Sequence, residues 1–323
     1  MQYKQAKIFI MLNIVYAIDE NYNKQAYLSI CSILENTSTD CYIFIIHERK
    51  NTFEVYKEMI EELFKNVNIR LFNFENQENF YFPNLNNVHV SSATYFRLFF
   101  DQYIPKTVKQ FVYIDADAFC LQDPTESVNI TFQQMKENEY ILGARTEHTT
   151  KDLEFERIKK LGVNSKYFNA GVMFVDYEKS LKLKLFQKLR IKLIEIEELI
   201  EFWDQDVLNS FFDGNYFEIN NNLNFDSNRL DLEKNITSEK IVFLHFKGSK
   251  KPWTIEGVFN NSAIFYTNLF QKYNLGSYHI TSRWRKDLLI KYLKSIANLK
   301  IFRLNNPLKF SFSVLSVLVK NNE

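Results

Sequence analysis

An α/β fold of the nucleotide-binding kind is what this chain predicts, and three observations lead there. Short apolar runs of strand length alternate with helical stretches from residue 11 to about residue 246. Two of those runs end in polar chemistry, Phe111-Val112-Tyr113-Ile114 at Asp115-Ala116-Asp117 and the run to Phe246 at Lys247-Gly248. With 323 residues and 46% hydrophobic content the chain can bury a large core, and it shows no internal repeat or low-complexity linker.

Taken in order, residues 11–18 read as a strand, 24–35 as a helix, 42–47 as a strand, 53–64 as a helix and 68–72 as a strand, so the sheet builds up in parallel. Ser91 or Ser92 can cap a helix through Phe100 that carries Arg97. Residues 111–115 form the next strand, and 140–144 and 170–176 two more. In 181–193 Leu-Lys-Leu-Lys-Leu alternates with a strand's period, but length and Leu, Lys and Glu content favour a helix. Residues 204–212, ended by Gly214, read as a short helix presenting Asp204 and Gln205 from its first turn, and 241–246 as a last strand.

The pair Asp115 and Asp117 carries the first chemical signal. Side chains in a strand alternate faces, so two acids two residues apart project to one side, about 7 Å apart at Cα, and can reach one divalent cation. Ligands of open α/β sheets bind beyond the carboxyl ends of strands, where this run delivers its acids. His245 closes another strand, and an imidazole beside two carboxylates suits Mn²⁺ better than an all-oxygen set would. Gly248 lets backbone amides approach a diphosphate, and Lys251 supplies charge to a leaving group that grows more negative. Taken singly, each has an ordinary alternative: aspartates are turn residues, and a lone histidine is more often a hydrogen-bonded structural one.

Composition narrows the classes. A net charge of +1 gives no bulk attraction to nucleic acid. Cys31, Cys41 and Cys120 form no CxxC pair, which suits core thiols in a reducing cytoplasm. The seven glycines include no GxGxxG and no P-loop, against a dinucleotide oxidoreductase. No tract has the apolar length of a membrane span. Lys4 and Lys7 before the apolar residues 8–18 imitate a signal peptide, but that run holds the first strand, so export is not expected, and residues 1–10 are read as either an extension or an upstream start choice.

Six stretches, in order, carry a resemblance: Ile14-Val15-Tyr16-Ala17-Ile18-Asp19-Glu20-Asn21-Tyr22, Ser92-Ala93-Thr94-Tyr95-Phe96-Arg97-Leu98, Tyr113 through Asp117, Tyr167-Phe168-Asn169-Ala170-Gly171-Val172, Trp203-Asp204-Gln205-Asp206-Val207-Leu208-Asn209, and His245 through Trp253. Together they resemble glycosyltransferase family 8, the retaining GT-A enzymes, and within it the bacterial lipopolysaccharide galactosyl- and glucosyltransferases. The resemblance implies a GT-A fold, a Rossmann-like nucleotide-binding mixed sheet flanked by helices with a basic C-terminal helical tail, and a catalytic domain over 11–276 with the tail at 277–323. It implies transfer of a hexose from a UDP-sugar to a glycan or glycolipid acceptor, with Mn²⁺ or another divalent cation held by Asp115, Asp117 and His245. Ala17, Asp19 and Asn21 fall where the family holds uracil and ribose, and Arg97 where a guanidinium contacts the donor. Asn169 and Asp204 match positions that hold donor-sugar hydroxyls, Gln205 the residue facing the anomeric carbon, and Lys251 a charge on the leaving diphosphate. Ala116, Ala170 and Gly248 complete the donor-binding set. Asp206 is read as structural, a residue favoured near a helix start. Glu147 stands where the family's loop near the sugar has Asp, which leaves the donated hexose open. A self-glycosylating branch of the same family and a non-catalytic sugar-nucleotide binder are the competing functions; any of 18 tyrosines could be an acceptor for the first.

The tail supports two readings equally. From residue 277 to 320 nine basic residues face Asp287 alone, and Arg283-Trp284-Arg285-Lys286 resembles the basic tail of some family members. Trp284, Leu288, Leu289, Tyr292, Leu293, Ile296 and Leu299 interleave at helical spacing. Such a helix can lie on the anionic inner face of the cytoplasmic membrane, making a cytoplasmic protein peripheral, or pack on the catalytic domain with a solvated basic face.

Overall fold

Seven strands make the sheet on which the larger of two units is built. The structure, a computed structural model, describes residues 11–76, 79–83, 92–149, 151, 154–232, 238–282 and 284–319. One unit comprises Met1–Asn224 with Ile241–Phe243, the other Phe225–Lys240 with Leu244–Glu323.

In the first unit β1 (Leu12–Ile18), β2 (Cys41–His47) and β3 (Val67–Asn73) are joined by helices Asn23–Asn36 and Glu54–Leu63. β4 (Gln110–Ile114) is followed by the short β5 (Ala118–Cys120), then β6 (Leu142–Thr149), β7 (Lys166–Asp176) and β8 (Phe217–Glu218). The order is β3-β2-β1-β4-β7-β6-β8. β1 pairs in parallel with β2 and β4, and β2 with β3, as the alternating elements predict. β7 departs from that pattern, running antiparallel to both β4 and β6. Apolar runs fix strand existence but carry no direction, so the reversal is set by pairing alone. β1 and β2 are apolar almost throughout because helices cover both faces of a parallel segment.

Two helices differ from expectation. Ser92–Phe99 winds as a 3-10 helix before one α turn, Phe100–Tyr103, and Arg97 Nε donates to the Thr94 carbonyl three residues back, at 3.2 Å. Ser91 lies outside the described residues. The stretch 181–193 is helical but broken: Tyr177–Lys182 and Leu185–Glu195 meet at Lys184, whose φ is +52°. The strand-like Leu-Lys alternation marks the break rather than a strand.

β10 (Phe243–His245) enters the second unit at Leu244 and there pairs in parallel with β9 (Phe225–Asp226), Leu244 with Phe225 and His245 with Asp226. Helices Ala263–Lys272, Arg285–Ala297 and Pro307–Val319 follow. Ile255, Val258, Tyr278, Leu288, Tyr292 and Phe310 are among the residues that share one buried core. A buried Leu or Phe contributes about 1.5–3 kcal/mol, so the tail helices are part of what holds this unit together. Trp284 lies 65% exposed instead of packing inward. Arg283 and Lys320 lie outside the described residues. Among the described residues no helix is long and apolar enough to cross a membrane.

Candidate active site

The strand order itself locates a crevice. From β1 the chain proceeds outward through β2 and β3, while β4 lies on β1's other side, so the carboxyl ends of β1 and β4 flank a topological switch point. β1 ends at Ile18, and Asp19 follows it, buried, capping the turn Glu20–Tyr22 by accepting the Asn21 N–H at 2.9 Å. Asn21 Nδ2 returns a bond to the second Asp19 oxygen at 3.3 Å. Ala17 is half-buried on β1. The Tyr22 hydroxyl is pushed above its usual range by burial and by the charges of Asp117, Asp19 and Asp115. Three carboxylates from two strand ends therefore share one neighbourhood.

At the other strand end, β4 stops at Ile114, one residue before the first acid. Asp115, Ala116 and Asp117 form a turn closed by Ala118 N–H to the Asp115 carbonyl, 3.0 Å, and tied to β7 by Asp115 N–H to the Gly171 carbonyl, 2.8 Å. The expectation of two acids on one face of a continuing strand is thus corrected: a turn, not pleating, orients them. Asp115 accepts the Tyr113 hydroxyl at 2.5 Å and lies 3.5 Å from Arg97 Nη1. Asp117 and Ala116 are buried.

Arg97 is the hub of a buried cluster beside the strand end. Its guanidinium lies buried over the Tyr113 ring, 4.8 Å from the centroid, and donates from Nη1 to the Ala170 carbonyl at 2.7 Å. It holds Asp204 at both oxygens, by a hydrogen bond from Nη2 to Oδ1 and an ion-pair contact of Nε with Oδ2, each 2.7 Å. Burial pushes the Asp204 carboxyl up to about 7, against the opposing pull of Arg97. Next to it, half-buried Gln205 takes the Ala170 N–H on Oε1 at 2.9 Å. Its Nε2 approaches the Tyr167 hydroxyl at 3.3 Å and Glu147 Oε2 at 3.5 Å. Asn169 accepts from Gly171 N–H and Asn224 Nδ2 and turns its own amide toward Glu147 and Gln205, both at 3.4 Å. Arg97, Asp115, Asn169, Ala170, Asp204 and Gln205, expected from separate stretches, are joined here by direct contacts.

Asp206 lies inside the fold, accepting the N–H groups of Glu201 and Phe202 at 2.8 and 2.7 Å. Tyr22, Tyr113, Tyr167 and Asn224 also belong to the site, although no role was drawn for them from sequence. Tyr22, Tyr113 and Tyr167 occur within the matching stretches, but an aromatic in an apolar run is indistinguishable from core; Asn224 gives no local signal at all.

The remaining expected residues lie in the second unit. His245 is buried at the end of β10. Beside it in register, Asp226 is held below the usual carboxylate range: burial raises it, but Lys247 at 3.1 Å and the Asn228 N–H at 2.9 Å, with His245 nearby, together outweigh burial. Gly248 adopts φ +73°, a left-handed conformation that favours glycine, and Lys251 turns its ammonium back onto the Phe246 carbonyl. Gly257 lets this loop close: a Cβ there would stand 2.1 Å from the Lys251 carbonyl oxygen.

Comparison with known proteins identifies the family and the fold. A lipopolysaccharide 1,2-glucosyltransferase of Escherichia coli is 28% identical over 255 residues, covering 75% of this chain and 73% of its own. A lipopolysaccharide 1,3-galactosyltransferase of Salmonella typhimurium is 24% identical over 266 residues, covering 78% and 76%. The crystal structure of the galactosyltransferase LgtC, in complex with donor and acceptor sugar analogs, superposes with a TM-score of 0.67 at 20% identity, over 81% of this chain and 96% of that one. The mixed seven-stranded sheet with flanking helices is thus the GT-A architecture. Residues 13–257 match the family described as Glycosyl transferase family 8, and with three quarters of its length aligned to lipopolysaccharide glycosyltransferases, the chain belongs to that family.

Proposed function

We propose that this family member moves a hexose, galactose or glucose, from a UDP-sugar to a hydroxyl of lipopolysaccharide, lipooligosaccharide or another cell-surface glycan, with retention at the anomeric carbon and with Mn²⁺ or another divalent cation as cofactor. The observation that supports it best is the joining of Arg97, Asp204, Gln205 and Asn169 beside Asp115 at the switch point of the sheet. Asp19 and Asn21 take the uracil and ribose, with Ala17 and Ala116 lining the nucleotide.

Asp115, Asp117 and His245 are the ligands proposed for the metal, each offering a carboxylate oxygen or an imidazole nitrogen. Their chemistry fits: Asp19, Asp115 and Asp117 all act on the Tyr22 hydroxyl, a concentration of negative charge that a dication would offset. When bound, such an ion neutralises charge growing on the departing diphosphate. Gly248 gives backbone access to the phosphates, and Lys251, once released from the Phe246 carbonyl, adds a cation.

Asn169, Asp204 and Arg97 hold the sugar hydroxyls, and Gln205 Oε1, bonded to the Ala170 N–H, faces the anomeric carbon with the lone pair that Asn169, now at 3.4 Å, gives up on turning to the sugar. An amide is a poor nucleophile, and Asp204, gripped by Arg97 at both oxygens, is little better placed to be one. Front-face transfer follows: the anomeric carbon–oxygen bond to UDP breaks, its electron pair stays on the phosphate oxygen, that oxygen takes the acceptor's proton, and the acceptor oxygen bonds to the same face. Exposed Leu308, Phe312 and Leu315, together with the tail's basic residues, support peripheral contact with an anionic membrane. A panel of UDP-sugars with Mn²⁺, read by UDP release, tests the donor reading before the acceptor is identified. Absence of release with every donor, in the presence of candidate glycan acceptors, would refute it. Intact mass after the reaction separates self-glycosylation from transfer to a glycan.

A further inference from the structure

We infer that Tyr167 is a positioning residue for Gln205, fixing which end of its amide faces the sugar, and that Asp206 directs the tyrosine proton that makes this possible. The inference rests on the proposed place of Gln205 at the anomeric carbon.

An amide side chain presents two ends of similar shape and opposite polarity, so its use at a reacting carbon depends on what sets its flip. The Ala170 N–H, a donor only, meets one end of Gln205 at 2.9 Å and makes it the oxygen. The nitrogen then faces the Tyr167 hydroxyl at 3.3 Å. That contact holds only if the hydroxyl accepts there, so its own proton must go elsewhere. It goes to Asp206 Oδ1, 2.6 Å away. Burial keeps the Tyr167 phenol protonated, its ionisation raised well above the usual range.

Asp206 is in turn fixed from three sides. Its Oδ2 accepts the Glu201 and Phe202 N–H groups, and Arg157 Nη1 stands 3.3 Å from Oδ1, with Arg157 Nε on Glu154 at 3.0 Å. Those two N–H groups belong to the entry of helix Trp203–Phe212, where Trp203 has φ +44°, an unfavourable conformation for a bulky residue. One carboxylate therefore clamps the strained entry of the helix that bears Gln205 and aims the hydroxyl that orients it. Tyr167 and Asp206 are fully buried and reach the proposed reaction only through Gln205 and the helix that bears it.

The test is a double-mutant cycle on the full chain with the most active UDP-sugar. Tyr167→Phe keeps the ring and removes the hydroxyl. We expect its kcat for UDP release to fall roughly 10- to 100-fold with KM and the Kd of UDP changed less than about threefold, and the fall to vanish in a Gln205→Ala background. Multiplicative losses in the double variant, or full kcat in Tyr167→Phe while Gln205→Ala is impaired, would overturn the positioning role. Unchanged kcat in Gln205→Ala would instead overturn the placement of Gln205, and the role of Tyr167 with it. If Tyr167→Phe loses the near-ultraviolet circular dichroism of the parent, the same cycle is run with Asp206→Asn, which redirects the tyrosine proton at nearly constant volume, with the same outcomes deciding.

Discussion

His47 makes the fold sensitive to mild acid, and the size of the effect follows from its bonds. Asn23 Nδ2 donates to the Thr52 carbonyl at 3.0 Å, so its Oδ1 is the end that meets His47 Nε2 at 2.8 Å, and Nε2 must carry the proton. Nδ1 is then the bare nitrogen, and it accepts the Arg49 N–H at 2.8 Å. A second proton would set N–H against N–H inside a ring that is fully buried. Burial accordingly lowers the imidazole to about 4 from its ordinary 6.5, with Asp19 pulling weakly the other way. A base depressed in the folded state is protonated only in the unfolded chain between those two values. Its contribution is therefore present in full above pH 6.5 and lost as pH falls toward 4. At 1.36 kcal/mol per pH unit the loss by pH 4.5 is about 2.5 kcal/mol. Urea unfolding of the parent and of His47→Gln from pH 7.5 to 4.5, followed by circular dichroism, isolates this contribution from the carboxylates that titrate in both. The parent should lose about 2–3 kcal/mol more than the variant across that window. Parallel curves would refute the neutral, doubly bonded histidine.

Three further outcomes are expected. Asp115→Ala and Asp117→Ala should each abolish UDP release while keeping the far-ultraviolet circular dichroism of the parent, and chelation should do the same to the parent; full release by either variant in excess chelator would sink the metal assignment. Gln205→Ala should lower kcat by roughly 10-fold or more with UDP affinity nearly unchanged, whereas a large loss of affinity at constant kcat would move the residue to nucleotide binding. In the tail, Leu288→Ala should cost about 2–5 kcal/mol of stability, since Leu288 is fully buried, while Leu308→Asp with Phe312→Asp should spare stability and weaken sedimentation with anionic liposomes. Equal liposome binding by that double variant and the parent would remove those two side chains from any membrane contact.

Much of this was legible in the sequence, for identifiable reasons. β1, β2 and β3 were readable because their apolar runs have strand length and are separated by helices, and the acids after Ile18 and Ile114 announced themselves by interrupting such runs. What stayed hidden depends on pairing between distant residues. The reversed direction of β7 leaves no trace in its composition, and the helix expected over 181–193 shows its break at Lys184 only as a Leu-Lys alternation that could equally be a strand's. The grip of Arg97 on Asp204 spans 107 positions, and each alone passes for a surface charge. Tyr167 was seen only as part of an apolar stretch, because a hydroxyl's hydrogen-bond partners are set by the fold. Leu288 and Tyr292 have the spacing of an amphipathic helix, but spacing cannot say whether protein or lipid covers the apolar face; the structure covers these two with Ile255, Val258 and Phe310 of their own unit.

The reversal of β7 has a consequence for how such a site can diversify. Because β7 opposes β4, Asn169 and Ala170 enter the sheet on the edge where β1 and β4 leave it, and β6 ends at Thr149 opposite Lys166 on that same edge. In the proposed reaction the nucleotide side is contributed by strands that run outward, the sugar side by one that runs inward. Lengthening or rewriting the inward hairpin would leave the register of β1 with β2 and β4 untouched. If the proposed roles hold, donor chemistry and sugar preference are carried on separable segments of one chain, and an exchange of the hairpin between relatives would alter which hexose is accepted without rebuilding the nucleotide cradle.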